Sequence, residues 1–346
     1  MHTDGDARLV AHIDEVIRTR GPVTFAWVME QALYHREHGY YTSGRAQIGR
    51  RGDYFTNVSV GPLFGRLVAA QFVEMRELLG PSHEFTIVEE GAHGGDFMRD
   101  VQRVVPDLRY LAIERAHGRC LAQLDRFQGV HFSNELIDSF PVHLVKWTGT
   151  EWLERHVGLT SDETFRFIDL PLSSEDLAQR TAKIALPLPV GYETEVNLAA
   201  LRWIETVAEK LERGFVIAVD YGLPRDEFYA PHRTTGTLQA YSKHKVVADP
   251  LTHIGEADIT AHVEWTSLVE HARASGLTIA GFADQHHFIT GLLTEDLVLD
   301  ASSARALQTL MHPELMGRAF QFLVLAKNVE TPERLRGLRF ARPGLL

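Results

Sequence analysis

The sequence predicts an α/β fold, a mostly parallel sheet with helices on both faces. Three observations point to it. Short apolar runs at 85–88, 109–114, 129–133 and 215–220 alternate with stretches whose apolar residues recur at helical spacing. The first run empties into Gly91, Gly94 and Gly95, and helical spacing resumes at Phe97, Met98 and Val101, the pattern of strand, tight turn and helix. Acids and amides gather where the runs end, which is where α/β sheets keep their chemistry.

The 346 residues, 45% of them apolar, supply a core for one large domain or two. A net charge of −11 excludes the basic footprint of general nucleic-acid backbone binding. The single cysteine, Cys120, has no partner for an internal disulfide. It follows a helical pattern with Leu121 and Leu124 and reads as structural. The first twenty residues contain no apolar signal stretch and no run of 18 apolar residues occurs, so the expectation is a chain without a membrane span and a cytoplasmic address.

Taken in order, Leu9, Ile13, Val16 and Ile17 predict a first helix that Gly21-Pro22 stops. Thr24 caps a second through Phe25, Val28, Met29 and Leu33. Residues 35–65 are too irregular for a core element and too aromatic for a linker. Either Tyr40, Tyr41, Tyr54, Phe55 and Phe64 enclose a flat ring or a sulfonium cation, or they form a small aromatic satellite core. His35-x-x-His38 and His286-His287 have no third ligand close in sequence, so no metal is expected. An amphipathic helix over 63–79 leads into the first strand. The expected division is 1–80, N-terminal helices and aromatic lid, and 81–346, the main domain with insertions at about 142–190 and 223–262.

Glycine belongs where the backbone turns sharply against a ligand, and a following helix presents unpaired N–H groups there. The turn is neither GxGxxG, since His93 occupies one glycine place, nor a GxxxxGK[ST] phosphate cradle. The next strand ends in Glu114, about 20 residues after the glycines, where a carboxylate in a doubly wound sheet accepts from ribose hydroxyls. A nucleoside-bearing cofactor is therefore the favoured ligand. A helix to about residue 127 and a strand over 129–133 precede Asn134-Glu135-Leu136-Ile137-Asp138. These polar residues are chemistry at a strand's end, a helix N-cap by Asn134, or both. Residues 142–170 alternate like a meander, and 196–213 read as a helix closed by Gly214. A buried strand (215–220), an irregular segment (223–260), a helix (263–275), a strand (277–283), a helix (304–310) and a closing strand (320–327) complete the chain.

Nine blocks in order then carry a resemblance: GPVTFAWVMEQALYHREHGYY, GDYFTNVSVGPLFG, EEGAHGGDFMRD, SNELIDSFPVH, GYETEVN, VDYG, GTLQAYSKH, GEADITAHVEWT and MGRAFQFL. The chain resembles the MidA-like methyltransferases, bacterial and mitochondrial relatives of the protein arginine methyltransferase that assists respiratory complex I assembly. The resemblance implies a class I methyltransferase (Rossmann-like) fold with an antiparallel last strand, an N-terminal helical and lid segment, an inserted substrate segment, and S-adenosyl-L-methionine as cofactor. It assigns Glu89, Gly91 and Gly95 to the first cofactor motif and Glu114 to the ribose. Gly52, Asp53, Phe55 and Thr56 match the lid block that covers the cofactor. Asn134, Glu135 and Asp138 match the NE-x-x-D block beside the transferable methyl group, and Asp258, Thr260 and His262 a D-x-T-x-H block that shapes the acceptor pocket. It further implies a homodimer, and an arginine-bearing protein acceptor such as a respiratory-complex subunit.

Two departures accompany it. His93 replaces a family glycine and adds a side chain where backbone should approach the methionine part of the cofactor. Only residues 115–133 lie between Glu114 and Asn134, too few for the helix and further strand of the family's sheet. That strand is absent here, or something else fills its place. Methyl transfer from a sulfonium is an in-line displacement governed by positioning and electrostatics. Glu135 is expected to orient a guanidinium and receive its proton, with Asp138 supporting. The alternatives are a small-molecule acceptor and a non-catalytic binding or assembly protein with a degenerate cofactor site.

Overall fold

Caps and apolar stripes place the first two helices where their spacing predicts them. Asp6 accepts from the Arg8 and Leu9 N–H groups at 3.1 Å to start Ala7–Arg20, and Thr24 caps Phe25–Tyr34 through the Trp27 N–H at 3.2 Å. The computed structural model describes residues 4–46, 56–80, 84–114, 120–242, 245–295, 297–330 and 334–341. Its first unit gathers Met1–Tyr54, Ile137–Ala200 and Leu223–Glu264, and its second gathers Phe55–Leu136, Leu201–Gly222 and Trp265–Leu346.

In the first unit the two helices bury Leu9, Ile13, Phe25, Val28 and Met29 in one core with Val142, Val157, Ile254 and Ile259. The meander expected at 142–170 is there: His143–Trp147, Trp152–Leu159 and Phe165–Leu170 pair antiparallel, and Glu193–Val196 joins on the side of the first. A smaller sheet pairs Gln239–Ser242 with Lys245–Val247 and with Asp258–Thr260.

The second unit holds the main sheet. From its edge the strands run Arg109–Ile113, Phe85–Glu90, Phe127–Asn134, Leu211–Leu223, Phe320–Lys327 and Thr278–Asp284. The first four are parallel, and Phe320–Lys327 is antiparallel to both neighbours. This is the class I methyltransferase arrangement with its antiparallel last strand. Helices Leu63–Leu79 and Asp96–Val104 contribute Phe64, Phe72 and Phe97 to its core, where Phe97 stacks on Phe132 at 4.4 Å. Each such ring removed from water stabilises the fold by about 2 kcal/mol. Leu63–Leu79, grouped in sequence with the N-terminal segment, thus belongs to this unit.

Several expectations change. Of the helix expected from Glu114 to about 127, the described part is a single 3₁₀ turn, Leu121–Gln123, and Cys120 beside it is exposed rather than packed. Among the described residues no strand lies beyond Arg109–Ile113, so the sheet ends one strand earlier than the resemblance implies. The short connection already suggested this: it has the length for one crossover and no more. Gly214 does not close the preceding helix, which ends at Lys210, but lies inside the strand Leu211–Leu223. There Thr86, Gly129 and Gly214 form one rung of three strands. A Cβ on Gly214 would come 1.9 Å from the Gly129 carbonyl oxygen, and one on Gly129 would come 2.1 Å from that of Thr86. The rung therefore demands glycine for close backbone approach. A further helix, Gln285–Leu292, follows the strand Thr278–Asp284, with Asp284 capping it through the His287 N–H at 2.9 Å. Tyr40 and Phe64 are buried core residues, in the first and second unit respectively, which for these two favours packing over a cage. Tyr54 and Phe55 lie outside the described residues.

Candidate functional site

The strand Phe85–Glu90 ends at Gly91, whose φ of 78° suits glycine and whose Cβ, if it had one, would sit 3.1 Å from Leu136 Cδ1. The glycine turn therefore abuts the segment carrying Glu135. Gly91 and Ala92 donate to the Ile113 carbonyl at 3.0 and 3.3 Å, and Gly95, with φ 72°, opens the helix Asp96–Val104. His93 takes φ 42°, a left-handed conformation that costs a side-chain-bearing residue about 1 kcal/mol. Its side chain is exposed and its N–H donates to Glu114 Oε2 at 2.8 Å. The replaced glycine thus keeps the turn, and its backbone anchors the acid. A Cβ on Gly94 would meet nothing within 4 Å, so the turn faces open space. An open, small-residue turn before a helix N-terminus, with a carboxylate at the next strand's end, fits the ribose and the adjoining part of a nucleoside cofactor.

Glu89 is buried, and its carboxyl accepts from the Tyr110 hydroxyl at 2.9 Å. Burial pushes this carboxyl up to about 8; the Tyr110 hydrogen bond opposes the shift and the Glu114 charge adds to it. Burial also lifts the Tyr110 hydroxyl well above its ordinary range, helped by the Glu89 charge. Glu90 accepts from Trp203 Nε1 at 2.8 Å and pairs with His131 Nε2 at 3.1 Å.

The strand Phe127–Asn134 delivers the second group of polar side chains. Glu135 has φ 53°, and its N–H donates to the Val219 carbonyl at 2.9 Å. Its Oε1 accepts from Asn134 Nδ2 and from the Asn57 N–H, each at 3.0 Å. Asn57 Nδ2 donates to Asn134 Oδ1 at 3.1 Å. Asn57 is wholly buried, and its Oδ1 meets no donor among the described residues. The segment after Glu135 forms only a 3₁₀ turn, Ile137–Ser139, so Asn134 serves Glu135 rather than capping a helix.

Asp53 and Phe55 of the lid block, with Gly52, lie outside the described residues. Thr56 is buried, and its hydroxyl pairs with Ser59 Oγ at 2.8 Å. The remaining residues belong to the first unit. The Asp138 carbonyl accepts from the Ala261 N–H at 2.9 Å, next to the strand Asp258–Thr260. Tyr41 donates to Asp258 Oδ1 at 2.5 Å, and Thr260 is buried in register with Gln239. The His262 N–H donates to Thr237 Oγ1 at 3.0 Å, and burial pushes its imidazole down, with the Arg233 charge assisting. Thr237 leads on to Glu195, a buried acid that accepts from the Thr237 and Leu238 N–H groups at 2.8 Å. Burial raises its carboxyl against those hydrogen bonds. Asn57, Tyr110 and Glu195 were not singled out by sequence reasoning. The signal for Asn57 and Glu195 was their place inside the quoted blocks GDYFTNVSVGPLFG and GYETEVN. Among the described residues no three His, Cys, Asp or Glu side chains gather to hold a metal, and no helix is long and apolar enough to cross a membrane.

A family model described as "Putative S-adenosyl-L-methionine-dependent methyltransferase" matches residues 117–283. The Drosophila melanogaster protein named protein arginine methyltransferase NDUFAF7 homolog, mitochondrial, is 25% identical over 94% of this chain and 86% of its own length. Its human counterpart is 24% identical over 96% of this chain and 86% of its own length. A Burkholderia thailandensis protein crystallised with S-adenosyl-homocysteine superimposes with a TM-score of 0.88 and 28% identity, covering 97% of this chain and 96% of that one.

Proposed function

The chain belongs to the MidA-like family of S-adenosylmethionine-dependent methyltransferases, and from that premise we propose that its acceptor is an arginine side chain of a protein. The observation that carries this reading is the Glu135 carboxylate, fixed by Asn134 and Asn57 beside the glycine turn. When bound, S-adenosylmethionine supplies a methyl group on a sulfonium, activated for in-line displacement. Gly91 and Gly95 would lie against it without a side chain in the way, and Glu114 would accept from its ribose hydroxyls. Glu135 is a hydrogen-bond acceptor, and a guanidinium has only donors to offer. Glu135 orients that guanidinium and receives the proton released as the new N–C bond forms. The names of the Drosophila and human relatives support the same acceptor class.

The test is transfer of labelled methyl groups to arginine-containing peptides, with methylarginine identified after acid hydrolysis. Glu135→Gln is expected to lower kcat roughly 100-fold while S-adenosylhomocysteine affinity stays within about twofold. Full transfer by Glu135→Gln, or label appearing only on metabolite-sized acceptors, overturns the reading.

A further inference from the structure

Resting on the reading of Glu135 as the group that meets the acceptor, we infer that Asn57 is a positioning residue that sets the Glu135 carboxylate through Asn134. Three hydrogen bonds close a ring: Asn57 Nδ2 to Asn134 Oδ1 at 3.1 Å, Asn134 Nδ2 to Glu135 Oε1 at 3.0 Å, and the Asn57 N–H to the same Oε1 at 3.0 Å.

The polarity of this ring is not arbitrary. A carboxylate only accepts, so it draws the Asn134 NH2 toward itself; the Asn134 carbonyl oxygen must then face Asn57, which has to answer with its own NH2. Reversing either amide would set two oxygens against each other. Asn57 is held against such a reversal. It is completely buried, and the turn that carries it is closed by Thr56 Oγ1 with Ser59 Oγ at 2.8 Å and by the Ser59 N–H to Thr56 Oγ1 at 3.2 Å. The 3₁₀ turn Val58–Val60 then packs Val58 and Val60 against the core of the unit. The fold thus clamps one end of the relay, and the reacting carboxylate takes its orientation from the other.

Glu135 needs this restraint. Its φ of 53° is a strained conformation for a side-chain-bearing residue and persists only where the surroundings over-determine it. A carboxylate free to swing loses alignment with its acceptor, and small misplacements cost rate steeply. Asn57 therefore contributes to the chemistry without itself meeting the acceptor.

Side-chain amide NMR and kinetics on the full chain test this with Asn57→Ala and Asn57→Asp. In wild type the Asn134 side-chain NH2, held by Glu135, is expected to exchange slowly with solvent. In Asn57→Ala that exchange is expected to accelerate at least roughly tenfold, and kcat with an arginine-containing peptide to fall roughly tenfold, while S-adenosylhomocysteine affinity by calorimetry stays within about twofold. Asn57→Asp keeps the shape but offers no donor, so it is expected to lose at least as much kcat as Asn57→Ala. A role in packing alone predicts the opposite order. Unchanged Asn134 exchange in the alanine variant, or an aspartate variant with wild-type kcat, overturns the inference. If neither peptide nor protein arginine is methylated, the acceptor assignment fails separately, and the exchange measurement still decides the role of Asn57. Should the alanine variant not fold, the same exchange measurement on the near-isosteric aspartate variant decides it.

Discussion

The Tyr110 hydroxyl donates to the buried Glu89 carboxyl across two neighbouring parallel strands, at 2.9 Å. Burial lifts that carboxyl from 4.5 to about 8, so between those pH values the folded chain keeps a proton that the unfolded chain has released. The stability contributed by this group is full below about 4.5 and is lost as pH rises through about 8. Urea denaturation at pH 6 and pH 9 is expected to show a loss on the order of a few kcal/mol in wild type that Glu89→Gln lacks. Equal pH slopes for the two proteins would remove Glu89 as the source.

Tyr110→Phe deletes the donor and leaves the acid without this partner. The expected cost is about 1–2 kcal/mol, read as a lower urea midpoint at unchanged m-value. The variant should also move the pH-dependent loss to higher pH, because the hydrogen bond that opposes the upward shift is gone.

Gly91→Val forces a branched side chain into φ 78° and against Leu136. Calorimetry is expected to show S-adenosylhomocysteine binding abolished, with Gly91→Ala intermediate. Wild-type affinity in the valine variant would detach this turn from the cofactor.

Gly214→Ala places a methyl group 1.9 Å from the Gly129 carbonyl oxygen, and its three nearest atoms are all Gly129 backbone, with no flexible side chain to yield. It is expected to cost more than ~4 kcal/mol or to abolish soluble folding. Gly276→Ala is the control: its φ of 84° is also left-handed, but its Cβ meets nothing within 4 Å, so only about 1 kcal/mol of backbone strain is expected.

His93→Gly relieves a left-handed φ of 42° without removing a buried contact. Since the His93 N–H remains to hold Glu114, the melting temperature is expected to hold or rise by about 1–2 °C, and S-adenosylhomocysteine affinity not to fall.

The alternation of apolar runs with helical spacing was enough to place the four parallel strands and the antiparallel Phe320–Lys327, because each is a property of residues adjacent in sequence. The caps Asp6 and Thr24 were equally local. Gly214 misled because a glycine after a helical pattern is an ordinary stop signal, whereas here its reason is a carbonyl oxygen on another strand. The helix Gln285–Leu292 carried readable signs in the Asp284 cap and in Phe288, Ile289 and Leu292 on one face. The role of Asn57 was not readable in this way: nothing in a buried asparagine's neighbours announces that it will meet Asn134 and Glu135, residues brought to it only by the sheet. The early end of the sheet was legible as a shortage of chain, since residues 115–133 must contain everything between two strands.

The two units are each assembled from three separated pieces of chain, and this bears on how the protein is made. Phe25 and Val28 wait for Ile254 and Ile259 to emerge before their core can close, and Ile87 waits for Phe215 and then Phe322. At about 5–20 residues per second of synthesis, those apolar faces stay uncovered for on the order of tens of seconds. A nascent chain cut short before its last strand holds every piece of the first unit but leaves the second without Phe322 and Val324, so that unit closes only once synthesis is nearly over.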